Sequence, residues 1–139
     1  MAKPSAPAFR AVPSSRKLLP LLKRFSQKRI LVIGDLMLDH FLRGKVGRIS
    51  PEAPVPVVCI TQESYVPGGA GNVAANIISL GAEVSVVGLV GTDEAGFKLV
   101  ADLKNRGIET SFILRDGERP TTEKVRIIAE HQQVVRYDR

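Results

Sequence analysis

Cysteine is nearly absent: the 139 residues contain one, Cys59, inside an apolar run. No disulfide can form within the chain, which fits a reducing compartment. With no histidine near it in sequence, Cys59 is expected to be a small core residue rather than a nucleophile. The two histidines, His40 and His131, stand apart, so metal-ligand spacing is absent as well. Tryptophan is missing and aromatics make up 5%, which leaves no platform for stacking bases. No apolar run approaches the ~18 residues of a membrane span. The short stretch Leu18–Leu22 is broken by Pro20, unlike the core of a signal peptide. These absences lead to the expectation of a cytoplasmic protein with neither a membrane nor a nucleic-acid partner.

What is present is an ordinary globular composition, 44% hydrophobic and 24% charged, in a chain long enough for one domain with a core. The net charge of +6 is local to one end. Residues 1–29 carry eight basic side chains and no acid, so the remainder is net −2. Pro4, Pro7 and Pro13 among Ala and Ser mark residues 1–15 as a flexible leader. Arg16–Gln27 reads as a short amphipathic helix whose leucines pack on the domain, giving a basic leader and helix over 1–27. A basic tail of this kind can also meet nucleic acid, and deleting residues 1–29 would test that.

From Arg29 the hydrophobic pattern is that of an α/β domain. Arg29–Gly34 is a continuous apolar run, expected as a strand buried on both faces. The segment Val66–Gly91 then runs from a glycine loop (Gly68, Gly69, Gly71) into an apolar helix over 69–80, expected to be buried almost all round. Gly81 stops that helix, and a buried strand follows over 83–90. Thr92 or Asp93 caps the next helix, which runs to about Arg106 with Phe97, Leu99, Val100 and Leu103 turned inward. Strand and helix alternating at this spacing imply a parallel sheet. Residues 40–62 and 110–138 read instead as short strands interrupted by charges and prolines. They are expected to form a small lid sheet over a ligand site.

Four features carry chemistry. Asp35 and Asp39 lie just past the first strand, where open α/β sheets gather ligands. Gly68, Gly69 and Asn72 lie at a helix start, where glycines permit close approach and free N–H groups favour oxygen-rich ligands. Lys124 and Arg126 alternate along one strand and so share a face, with Arg136 on the next strand; such cations suit a phosphate, although a solvated face has the same spacing. Gly69-Ala70-Gly71-Asn72-Val73-Ala74 also satisfies a dinucleotide-binding fingerprint, but the polar, proline-ended Gln62–Pro67 precedes it instead of a buried strand. The phosphate-binding P-loop pattern fails at Phe97, which stands where its lysine is required.

Taken together, Gly34-Asp35-Leu36-Met37-Leu38-Asp39, Gly68-Gly69-Ala70-Gly71-Asn72, Gly81 and Gly91 resemble the ribokinase-like (PfkB) carbohydrate kinases. Arg48–Val57, Pro120–Arg126 and Gln132-Gln133 with Arg136 and Asp138 are similar to the heptose branch of that family. Its members, the D-glycero-β-D-manno-heptose-7-phosphate kinases, are often the kinase half of a bifunctional kinase/ADP-heptose synthase. The resemblance covers about residues 28–138. It implies the N-terminal portion of a three-layer ribokinase-like sandwich plus a β lid. Asp39, Gly68, Gly69 and Asn72 would hold the sugar, while Lys124, Arg126 and Arg136 would hold its phosphate. The lid strands would pair between two subunits.

The implied reaction transfers the γ-phosphate of ATP, with Mg²⁺, to the anomeric hydroxyl, in the route to ADP-heptose and the lipopolysaccharide core. The family's second signature, a Gly-Ala-Gly-Asp segment carrying the catalytic aspartate, does not occur in these residues, and neither does the nucleotide-binding half. The expectation is therefore a fragment that is inactive alone and has an unfinished, apolar sheet. The alternatives are a non-catalytic module that binds sugar phosphate or pairs its lid with an intact subunit, and a dinucleotide-binding domain.

Overall fold

The computed structural model describes residues 15–139, with side chains from Leu19 onward. The expected leader over 1–14 lies outside the described residues. Helix α1 (Ser15–Leu22) is shorter than the sequence pattern predicts, and a single 3-10 turn (Phe25–Gln27) follows it. Leu19, Leu21 and Leu22 are exposed, so the expectation that this helix packs its leucines on the domain does not hold for them.

The rest of the chain forms two sheets. Strands β1 (Arg29–Ile33), β4 (Glu83–Gly91) and β5 (Ile113–Asp116) make a parallel sheet in the order β1-β4-β5. Strands β2 (Leu36–Ile49), β3 (Pro56–Gly69), β6 (Thr122–Ala129) and β7 (Gln132–Asp138) make a mixed sheet in the order β3-β2-β6-β7. Helices α2 (Ala70–Ser79) and α3 (Glu94–Asn105) link the strands and cover one face of the parallel sheet. Leu36, Leu38, Ala74, Val84, Val86, Val90, Leu99, Leu103 and Ile108 form the core.

Several expectations change here. The second sheet is larger than the sequence pattern predicts. β2 starts at Leu36, only two residues after β1, and its partner β3 runs without a break to Gly69. Leu36 and Leu38 alternate with Met37 and Asp39 at period two, so Asp35–Asp39 enters a strand rather than a loop. The glycine "loop" is likewise the end of β3, with Gly68 and Gly69 paired to Met37 and Leu36.

Within the expected lid range 110–138, Ile113–Asp116 joins the parallel sheet instead, because Ile113 packs against the core beside Gly88. β1 is not buried on both faces: Val32 is half-buried against the core, while Ile30, Leu31 and Ile33 are exposed. α2 is not buried all round: only Gly71 and Ala74 are buried, and Asn72, Val73, Asn76 and Ser79 face outward. Phe97 also points away from the core, under the Arg115 guanidinium 4.3 Å from its ring centre. Cys59 is exposed, since it lies on β3 at the edge of the mixed sheet.

Leu31 and Ile33 share an uncovered sheet face with Leu114, as their register with Ser85, Val87 and Leu89 requires. Covered and uncovered residues should therefore differ in cost. Leu99→Ala, at 0% exposure, is expected to destabilise by about 2–5 kcal/mol. Ile33→Thr, at 71% exposure, is expected to change stability by roughly 1 kcal/mol or less and to reduce self-association. Urea unfolding and light scattering would check both.

Candidate functional site

The alternation of β2 places Met37, Asp39 and Phe41 on the face of the mixed sheet opposite the buried Leu36, Leu38 and His40. Register then decides what meets them. Asp39 is paired with Lys124 on β6, and Phe41 with Arg126. Across the next ladder, Lys124 pairs with Asp138 and Arg126 with Arg136 on β7. One sheet face thus gathers Asp39, Lys124, Arg126, Arg136 and Asp138 from three strands.

These charges are engaged with one another. Arg126 Nη1 donates to Asp39 Oδ1 at 2.6 Å, and both side chains are about one-fifth exposed. The Arg126 guanidinium lies 5.1 Å from the centre of the Phe41 ring, which supports it. Arg136 makes a two-pronged contact with Asp138, at 2.9 Å from Nε and 2.8 Å from Nη2. Lys124 Nζ reaches the same carboxylate at 3.2 Å. Arg136, with help from Lys124, pulls the Asp138 carboxyl down to about 2, and the same contact raises Arg136.

The glycines close one side of this face. A Cβ on Gly68 would lie 2.8 Å from Asp39 Oδ2 and 2.8 Å from Met37 Cγ, so a side chain cannot stand there without moving the carboxylate. Gly69 takes a positive φ of 55° at the N-cap of α2, where a Cβ would meet the Asp35 carbonyl oxygen at 2.4 Å. That oxygen accepts from Ala70 N at 2.9 Å, which ties the start of α2 to the β1–β2 turn. Beside it, at the carboxyl ends of β1 and β4, lies a cavity of about 250 Å³ lined by Asp35, Met37, Leu89, Arg119 and Thr122.

The structure therefore brings Asp39, Gly68, Lys124, Arg126 and Arg136 to one face, with Gly69 adjoining. Asn72 stands apart, exposed in the first turn of α2, where its Oδ1 and carbonyl accept from Asn76 Nδ2. Sequence reasoning did not single out Phe41 or Arg119. The alternation Met37-Asp39-Phe41 was a usable signal for Phe41. No local pattern marks Arg119, which reaches the cavity only because β5 and β6 converge there.

A larger cavity of about 540 Å³ lies on the other face of the mixed sheet, against α3. Its polar groups are mostly engaged with one another, although the buried His40 Nε2 makes no hydrogen bond. His40 lies 2.8 Å from Glu123 through Nδ1 and 2.6 Å from Glu63 through Nε2, and it stacks on Tyr65 at 4.4 Å. The Tyr65 hydroxyl donates to Glu63 at 2.6 Å and accepts from Lys98 at 3.0 Å. The Tyr65 bond holds the Glu63 carboxyl below its usual range. This network knits α3 to the lid and leaves little for a ligand.

The pfkB family carbohydrate kinase profile matches residues 27–139. The chain belongs to the pfkB family of carbohydrate kinases. It is 53% identical over 111 residues to the bifunctional protein HldE of Helicobacter hepaticus, covering 80% of this chain and 23% of that protein. The HldE of Campylobacter concisus is also 53% identical, with 80% and 24% covered. The chain thus spans about a quarter of the length of these curated relatives. Among solved structures, a putative ribokinase from Agrobacterium tumefaciens superposes with a TM-score of 0.66 at 23% identity, over 81% of this chain and 36% of that one. The nucleoside kinase of Methanocaldococcus jannaschii gives a TM-score of 0.58 at 23% identity, over 80% and 36%. These structural likenesses establish the ribokinase-like fold. The dinucleotide reading falls away: Gly69-Ala70-Gly71 follows an antiparallel lid strand, whereas the fingerprint needs a parallel strand before its first glycine.

Gly68→Ala tests the packing of this face. The new methyl group is expected to displace the Asp39 carboxylate and break its bond to Arg126. The Arg126 side-chain resonances should move by NMR, while the melting temperature falls by only a few degrees.

Proposed function

We propose that this chain supplies the sugar half of an ATP-dependent kinase that phosphorylates D-glycero-D-manno-heptose 7-phosphate at its anomeric hydroxyl. The product leads to ADP-heptose and the lipopolysaccharide core. The observation that carries this reading is the shared face holding Asp39 and three cations beside the Gly68–Gly69 strand end. A phosphorylated sugar needs two kinds of partner. Its hydroxyls need an acceptor that also fixes orientation, which suits Asp39. Its phosphate needs cations, and arginine can grip it through two parallel bonds. The family assignment and the HldE relatives support the same reading.

In this reading the Asp39–Arg126 pair is a resting state. The incoming phosphate draws Arg126 toward itself, together with Lys124 and Arg136, and Asp39 is released to accept sugar hydroxyls. Gly69 adjoins the sugar side of this face, and Asn72 stands apart from it in the first turn of α2. ATP with Mg²⁺ supplies the phosphoryl group. Among the described residues no group of three or more His, Cys, Asp or Glu side chains is arranged for a metal ion. These residues bind and orient the acceptor; the base that takes its hydroxyl proton is expected elsewhere in the complete enzyme.

The lid also presents Val134, Val135 and Tyr137 to solvent, which supports pairing with a second copy. No helix among the described residues is long and apolar enough to cross a membrane, and the proposed compartment is the cytoplasm.

Calorimetric titration tests the reading. The 139-residue chain is expected to bind heptose 7-phosphate but neither the unphosphorylated heptose nor ATP–Mg²⁺. Arg126→Gln should weaken that binding about 10- to 100-fold, the value of a charge-assisted hydrogen bond. Binding of ATP–Mg²⁺ without the sugar phosphate would refute the assignment. A second variant probes competition at the phosphate side. With its carboxyl pulled down to about 2, Asp138 is ionised at neutral pH and occupies Lys124 and Arg136. Asp138→Asn is therefore expected to tighten phosphate binding several-fold at low ionic strength, with the gain shrinking as salt screens it.

A further inference from the structure

The end of β4, the start of α3 and the start of β6 meet at one buried node. Asp93 Oδ1 accepts from Gly96 N at 3.0 Å, which caps α3. The same carboxylate accepts the Thr121 hydroxyl at 2.7 Å through Oδ1 and the Thr121 backbone N–H at 3.0 Å through Oδ2. The Thr121 oxygen in turn accepts from Gly91 N at 2.8 Å. Thr121 is 1% exposed, so its hydroxyl has no water to fall back on. The packing leaves no slack. A Cβ on Gly91 would lie 2.7 Å from Thr121 N and 2.7 Å from the Arg119 carbonyl oxygen. One on Gly96 would lie 2.6 Å from Thr121 Oγ1. Burial disfavours the charge on Asp93, but the Thr121 and Gly96 donors outweigh it and hold the carboxyl below its usual range.

The location gives the node a task. Thr121 is the last residue before β6, which pairs with β2 from Thr122 onward. Lys124 follows three residues later and Arg126 five. Arg119 and Thr122, on either side of the node, line the cavity at the carboxyl ends of the parallel strands. The parallel sheet and the lid are separate sheets, so where β6 leaves the core sets how its cations stand over Asp39.

We propose that Asp93 and Thr121 are positioning residues for sugar-phosphate binding: they touch no ligand, and they hold β6 so that Lys124 and Arg126 converge on Asp39. This inference rests on the sugar-phosphate reading above. Binding sites tolerate only about 0.5 Å of looseness in their charged groups, so a strand freed at its first residue loses affinity without unfolding.

The test uses Thr121→Val, which keeps shape but loses the hydroxyl, Thr121→Ser, which restores it, and Asp93→Asn as an independent variant. Heptose 7-phosphate is titrated at a temperature where each variant is folded. Amide exchange is followed at Lys124 and Arg126, with Val32 and Val86 of the parallel sheet as references. Thr121→Val and Asp93→Asn should weaken binding at least tenfold, and Thr121→Ser less than threefold. Exchange at Lys124 and Arg126 should accelerate well beyond that at Val32 and Val86. A role limited to stability would lower the melting temperature, speed exchange equally at all four sites and leave the dissociation constant unchanged; that result overturns the proposal. If the unsubstituted chain binds no sugar phosphate, the functional reading fails by itself. The exchange data still decide whether the node positions β6: selective acceleration upholds it, and uniform or absent acceleration refutes it.

Discussion

Strand β2 belongs to the lid by its hydrogen bonds and to the core by its side chains. Leu36 and Leu38 are buried in one cluster with Leu99 and Leu103 of α3 and with Val86 and Val90 of β4. Because strand side chains alternate, that burial forces Met37, Asp39 and Phe41 to the opposite face. A slip of one residue would bury Asp39 unpaired and expose two leucines. Register then propagates outward from β2 to β3 on one side and to β6 and β7 on the other. Which charged residues share the face of the candidate site follows from this apolar constraint.

The charges themselves contribute little to holding the fold. Asp138, Arg136 and Lys124 are partly exposed, and solvent screens such pairs so that they add little to stability. The Asp39–Arg126 contact is more protected and supported by Phe41, and losing one partner would leave the other short of solvent. The opposite face of the same sheet shows the contrasting case. There Nδ1 of His40 bonds Glu123, the Tyr65 hydroxyl links Glu63 to Lys98, and the group ties the lid to α3, while the buried His40 Nε2 lies near Glu63 without a hydrogen bond.

The parallel sheet is covered on one face, while Leu31, Ile33 and Leu114 lie open on the other among the described residues. The chain spans about a quarter of the length of its curated relatives.

The sequence determined the element types wherever a local rule was strong. Asp93 caps its helix, Gly81 and Gly107 stand just past helix ends with positive φ, and the strands over 29–33 and 83–91 follow their apolar runs. It also exposed the family motifs, since Gly68-Gly69 and Thr121–Arg126 are contiguous. What it could not determine was which sheet each strand joins. Ile113–Asp116 looks like a lid strand and is not, and Leu36–Asp39, expected only as the stretch past the first strand, opens a long strand of the other sheet, because sheet membership depends on partners far away in the chain. Burial was misjudged at Cys59, Phe97 and Ile33 for the same reason: an apolar residue is buried only if another element arrives to cover it. Only the tertiary structure set Arg126 against Asp39, 87 residues away, because a contact across the β2–β6 ladder is fixed by register, and register by the burial of Leu36 and Leu38.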